Sequence, residues 1–233
     1  GNKGYTVPHC AAYGGSIDIF NKACELINAP SEKYYYSNSE KKDLHHQKLR
    51  ERTKLGETLL HMACLSGELE MTKYLVGKYP NMINEVDIHN ESIAHYAAKG
   101  ANVTVIQYLI DKGLNPWCRT ATQETLLHKS CISGQLEMTE YLLKKYPNMI
   151  NEVDNDKRTP SHYAALGGNV SVVQFLIDKG LNPWCRTARQ ETLLHKSCMS
   201  GQLEMTEYLL AKFPNMINEV DNDKRTPAHY AAQ

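Results

Sequence analysis

TLLHKSC, residues Thr125 to Cys131, places a hydroxyl, an imidazole, an amine, a second hydroxyl and a thiol within seven residues. Those are the parts of a nucleophile–base site, and whether they form one depends on what surrounds them. The segment returns as TLLHKSC at Thr192 to Cys198 and stands as TLLHMAC at Thr58 to Cys64. A related version lies between: SIAHYAA at Ser92, TPSHYAA at Thr159 and TPAHYAA at Thr226. The histidines His61, His95, His128, His162, His195 and His229 are spaced by 34, 33, 34, 33 and 34 residues. A catalytic nucleophile needs one base and one pocket, whereas a group recurring at a fixed period of this length serves what each structural unit requires. No catalytic residue is expected, and the chain is read as a non-enzyme.

One period shows what the unit is. Thr125 caps LLHKSCIS as a short helix, and Gly134 follows it, suited to a positive φ. QLEMTEYLLKKYP then carries Leu136, Met138, Tyr141, Leu142 and Leu143 at helical spacing, with Glu137, Glu140, Lys144 and Lys145 outside. Pro147 marks the exit, and MINEVDNDKR leads through a turn to the next Thr159. Helix, turn, longer helix and extended turn make a unit whose short helices cannot bury their faces alone, so units must stack.

These residues resemble a known family. TPSHYAALGGNVSVVQFLIDKG and TPAHYAA are similar to the T-P-L-H-x-A-A helix-turn-helix of ankyrin repeats. The resemblance implies an all-α ankyrin-repeat solenoid with short hairpin turns, about six complete repeats and a truncated seventh, in a single domain over residues 1–233. The units run approximately over 4–30, 56–88, 90–121, 123–155, 157–188, 190–222 and 224–233, with an insertion at about 30–50. The resemblance also implies that the motif histidines His61, His95, His128, His162, His195 and His229 hydrogen-bond to the motif threonine and to neighbouring backbone, as structural residues. The turn position that is glycine in the family is Gly56 in one repeat but Asn90, Gln123, Lys157, Gln190 and Lys224 elsewhere. A left-handed backbone there costs a non-glycine residue roughly 1 kcal/mol, so these turns are expected to be looser or differently shaped.

Function follows from the family's concave face, lined by turn tips and first helices. Its expected partner-binding residues are Tyr96, Lys129, Ile132, Arg158, Tyr163, Leu166, Arg189, Lys196, Met199, Arg225 and Tyr230, a basic and aromatic set that suits an acidic or extended protein segment. Two blocks, residues 113–165 and 180–232, differ only at Thr122/Arg189, Ile132/Met199, Lys144/Ala211, Tyr146/Phe213 and Ser161/Ala228, so the face is periodic. The leading reading is a non-catalytic interaction scaffold. The alternative is the regulatory ankyrin region of a larger protein: a channel, kinase, toxin or pathogen effector.

Bulk properties exclude other classes. Lys plus Arg and Asp plus Glu both total 26, a net charge of zero that gives no general grip on nucleic acid. No apolar run approaches the roughly 20 residues of a membrane helix. No cofactor, metal site or small-molecule substrate is indicated. Histidine rows a helix layer apart cannot share an ion at about 2.1 Å. Seven cysteines without a C-x-x-C pair, Cys64, Cys131 and Cys198 in one register, read as reduced buried residues of an intracellular, cytoplasmic protein. The insertion, with SEKYYYSNSEKKDLHHQKLRERTK, is either a solvated finger or a basic, tyrosine-bearing arm for a partner. The start without Met and the stop after one helix of the last repeat point to a piece of a longer array.

Overall fold

The computed structural model describes residues 4–28 and 52–232, so the expectations for the insertion fall outside the described residues. The described residues form helices without regular strands; their one β-bridge joins Val86 and Ser92. They group into two compact units, the described residues within 1–97 and 104–115 and those within 98–103 and 116–233.

The first unit contains α1 (Val7–Tyr13), α2 (Ile17–Asn28), α3 (Leu59–Ser66) and α4 (Leu69–Lys78), followed by most of α5 (Ile93–Lys99) and α6 (Val103–Asp111). The second contains α7 (Leu126–Ile132), α8 (Leu136–Lys145), α9 (Pro160–Leu166), α10 (Val170–Asp178), α11 (Leu193–Met199), α12 (Leu203–Lys212) and α13 (Pro227–Ala231). A short 3-10 helix follows α4, α8 and α12, at Pro80–Asn84, Pro147–Asn151 and Pro214–Asn218. In each, proline at the first position ends the preceding helix, and Met82, Met149 or Met216 is buried to pin the turn.

Within the second unit the short helices stack α7 on α9 on α11 on α13, while the longer helices α8, α10 and α12 touch one another sparsely. Small residues permit the close layer: Ala164 and Ala165 of α9, and Ser130 and Cys131 of α7, are buried. The longer helices turn Met138 and Leu142, Val172 and Leu176, and Met205 and Leu209 onto the short ones.

The threonine–histidine motif begins these short helices by a capping box in which histidine stands where glutamate usually does. His128 Nδ1 accepts the Thr125 backbone N–H at 3.1 Å and lies 2.9 Å from its hydroxyl. The proton must therefore sit on Nε2, which donates to the Arg158 carbonyl of the next loop at 3.0 Å. His195 repeats this with Thr192 and the Arg225 carbonyl, and His61 with Thr58 and the Glu91 carbonyl. At His162 the Nδ1 bond to Thr159 is kept, and the buried Nε2 faces the Glu191 backbone in looser geometry than at His61, His128 and His195. Burial lowers the pKa of His61, His128 and His162 to about 4, so the rings are neutral at physiological pH.

One expectation about the turns is overturned. Asn90, Gln123, Lys157, Gln190 and Lys224 all have φ between 56 and 67°, in the same left-handed region as Gly56 at 79°. The glycine-free turns keep the glycine shape. At Asn90, Lys157 and Lys224 the carboxylate of Asp87, Asp154 or Asp221 accepts backbone N–H groups across the turn. At Gln123 and Gln190 an arginine clamps the carbonyl, as it also does at Gly56. Arg119 donates to the Gln123 carbonyl at 2.9 Å and pairs with Glu152 of the following loop. Arg186 does the same with Gln190 and Glu219, and Arg52 with Gly56 and Glu85.

Candidate functional site

The residue after each motif histidine points inward, and this corrects part of the expected partner-binding set. Tyr96, Tyr163 and Tyr230 are at most 6% exposed, and Lys129 and Lys196 are also 6% exposed. Each has a partner from another segment. The Tyr230 hydroxyl donates to Asp221 Oδ2 at 2.7 Å and lies 3.1 Å from Glu191 Oε1. Lys196 Nζ reaches Glu191 Oε2 at 2.7 Å, and Arg225 Nε reaches Asp221 Oδ2 at 2.9 Å with its guanidinium 4.9 Å above the Tyr230 ring. His195 meets that ring edge-on at 5.5 Å.

The block before it repeats the arrangement. Tyr163 donates to Asp154 at 2.8 Å, Lys129 to Glu124 at 2.7 Å and Arg158 Nε to Asp154 at 2.6 Å. Burial alone would raise the Glu124 carboxyl. The hydrogen bonds from Lys129, Tyr163 and Thr122 outweigh it and carry the pKa down to about 2. Tyr163 is pushed up, by burial and then by Glu124 and Asp154, so its hydroxyl remains a donor. The first unit keeps only part of this network. Tyr96 lies 3.0 Å from Glu57 and 2.9 Å from Asp87, with Met62 and Glu91 where the later blocks have lysine and arginine.

These contacts were not foreseen, although a signal for them existed. Asp87, Asp154 and Asp221 stand at one place in the 67-residue spacing, as do Glu57, Glu124 and Glu191. A tyrosine recurring in step with two carboxylates is a candidate for a buried phenol–carboxylate network. The clamp residues Arg52, Arg119 and Arg186 recur in the same way with Glu85, Glu152 and Glu219.

What remains at the surface is smaller and better defined. Ile132, Leu166 and Arg225 are half-buried, and Arg225 is committed to Asp221 and Asp223. Four of the expected residues, Arg158, Arg189, Lys196 and Met199, are brought together around one recess of about 250 Å³ in the second unit, with Asp156, Thr187 and Glu191. Arg158 is paired with Asp154 and Asp156, and Lys196 with Glu191. The Arg189 side chain is exposed and, among the described residues, makes no ion pair; only its backbone is engaged. Met199 beside it is 43% exposed. The recess therefore offers one uncommitted guanidinium and one flexible apolar side chain on a rigid floor.

The cysteines divide by packing. Cys64 and Cys131 are buried, and burial pushes both thiols up to about 12. Cys198 was expected to match them but is half-exposed, because only the short α13 stands beyond α11, where α9 and α10 both stand beyond α7. All seven thiols are free. Cys185 Sγ lies 3.8 Å from His162 Nδ1, but that nitrogen already accepts the Thr159 N–H, and burial raises the thiol, so the pair has no activated nucleophile.

The family model for ankyrin repeats, in three copies, matches residues 27–120, 95–187 and 181–233. Among curated proteins, alpha-latrotoxin-Lg1a of Latrodectus geometricus is 30% identical over 167 residues, 68% of this chain and 12% of the toxin. Alpha-latrocrustotoxin-Lt1a of Latrodectus tredecimguttatus is 30% identical over 112 residues, 48% of this chain and 8% of the toxin. The transient receptor potential cation channel subfamily A member 1 of Homo sapiens is 25% identical over 183 residues, 76% of this chain and 16% of the channel. The chain thus spans 8 to 16% of the length of these relatives.

Proposed function

The chain belongs to the ankyrin-repeat family, whose repeats are generally non-catalytic protein-interaction modules, and from that premise we propose that its second unit captures a short acidic segment of a partner protein. The observation that carries this reading is the recess of Arg158, Arg189, Lys196 and Met199, with the Arg189 guanidinium free of any ion pair among the described residues. A partner carboxylate on Arg189 makes a charge-assisted, two-pronged contact, and an apolar neighbour covers Met199, a side chain that adapts to what it meets. Tyr163, Tyr230, Lys129 and Lys196 serve by fixing the floor, which limits the ordering that binding requires. The work belongs in a reducing, intracellular setting, in keeping with free thiols whose buried members are poor thiolates. No helix among the described residues is long and apolar enough to cross a membrane.

The test is a peptide array of acidic and amide-substituted segments probed with the chain and with Arg189→Thr, the residue found at the matching place in the preceding block. Acidic peptides should lose about tenfold in affinity on the substitution, a little under 1.4 kcal/mol, with unchanged thermal stability. Equal binding by both proteins would refute the assignment of the recess. A second reading, a regulatory repeat region within a larger protein, is supported by relatives that are named as a channel and as toxins and are many times longer than their matched parts. Sequencing the transcript beyond both ends distinguishes the two.

A further inference from the structure

The sparse contact between α8 and α10 leaves a groove of about 470 Å³ on the face of the second unit away from the short helices. Its origin is local. Pro147 ends α8, and Met149 pulls the 3-10 turn inward, which leaves the neighbouring Ile150 half-buried at the edge of the opening. Leu143 and Ile150 form one apolar wall and Phe175 of α10 the other. The rim carries Lys144 and Lys179 against one carboxylate, Glu140. Among the described residues neither lysine makes an ion pair; Lys179 lies 5.4 Å over the Phe175 ring. In a chain with no net charge, this is an apolar groove with a net positive rim.

Half of that charge belongs to this place and not to the repeat: Lys179 recurs as Lys112, which lies over Tyr108 in the same way, but Lys144 does not recur. Lys144 is one of the five positions at which the two near-identical blocks differ, and Ala211 stands at the matching place. The aromatic pair at the same end of α8, Trp117 edge-on to Tyr146 at 5.9 Å, recurs as Trp184 and Phe213, so the scaffold around the changed residue is kept. We infer that this groove is a second docking site, which takes a partner segment presenting a leucine or phenylalanine flanked by carboxylates. The apolar side chain lies between Ile150 and Phe175, a setting of the size that pockets for one or two large side chains have. The carboxylates meet Lys144 and Lys179, and a basic segment is turned away by the same rim. The site is independent of the Arg189 recess, with which it shares no residue.

The experiment titrates the 233-residue chain with the capped peptide acetyl-Glu-Asp-Leu-Phe-Asp-Glu-amide while following methyl resonances by NMR. Leu143 and Ile150 should shift saturably. The all-amide analogue, with Gln and Asn for the acids, should bind about fivefold more weakly, and Lys144→Ala about threefold more weakly, the scale of single exposed charge contacts. Lys144→Ala introduces the residue already tolerated at position 211, so a folding defect is not the explanation of a loss; an unchanged thermal transition verifies this. No saturable shift at Leu143 and Ile150, shifts confined to Met199, or equal binding of the acidic and amide peptides would each overturn the inference.

Discussion

Residues 113–165 and 180–232 are nearly one sequence written twice, and the places where they part are informative. Everything that shapes the repeat is kept: the threonine–histidine caps, the left-handed turn residues Gln123 and Gln190, the arginine clamps, and the buried lysine–glutamate and tyrosine–aspartate pairs. Three of the five changes fall on the two surface concavities: Arg189 and Met199 in the recess, Lys144 on the outer groove. At Thr122 the hydroxyl donates to Glu124 at 2.8 Å and is satisfied; Arg189, in its place, reaches outward uncommitted. A frame repeated without change carries surfaces that are not.

The most drastic way to break the comparison is to dissolve the frame that both blocks share. His61, His128 and His162 are neutral when folded, with pKa values about 4 against 6.5 for the free side chain. As pH falls the unfolded chain therefore binds their protons first, and stability present above pH 6.5 is lost between pH 6.5 and 4. Each ring contributes up to roughly 3 kcal/mol across that window. Urea titrations at pH 7 and pH 5 should differ by several kcal/mol; a flat profile would mean the rings are not held neutral. Below about pH 4.5 the depressed carboxyl of Glu124 adds its own loss, through its folded value near 2.

A sharper cut removes one cation from each block. Lys129→Met and Lys196→Met install the residue that Met62 provides in the first unit, and leave Glu124 and Glu191 without their ammonium. Each should cost about 2 kcal/mol, and the two costs should agree within about 0.5 kcal/mol. A large disparity would show that the blocks are less alike than their contacts.

Smaller still is the effect of relieving the turns. Gln190→Gly removes a left-handed non-glycine residue at φ 64° and should stabilise by less than about 1 kcal/mol, because glycine also loosens the unfolded chain. Thermal melts of Gln190→Gly and Gln123→Gly should rise together. The smallest change is in thiol reactivity, which distinguishes the ends of the row. Cys198 should react with a maleimide faster than Cys131 and Cys64 in the native state, as its partial exposure dictates; equal rates would place it under the same cover.

The period made the helices and their caps readable in advance, because each depends on residues a few places apart. The inward turn of Tyr163 was not readable that way. A tyrosine following a motif histidine on a helix is compatible with either face, and the choice is made by Asp154 in the preceding turn and Glu124 in the preceding repeat. Likewise, Gln123 taken alone predicts a strained or altered turn, and only the Arg119 clamp on its carbonyl explains why the turn is kept. Arg189 was legible as a surface charge, but its lack of a partner depended on the positions of every neighbour.

The reach of the stapling bonds has a kinetic consequence. His128 bonds a carbonyl 30 residues on, Arg119 a carboxylate 33 residues on, and the Tyr230–Glu191 contact spans 39. Closing such short loops takes little search, so the order of events along the chain is not imposed by topology. Refolding of the second unit should start at whichever repeat is locally strongest and spread to its neighbours. A weakened turn would then move the starting point without slowing arrival at the native state.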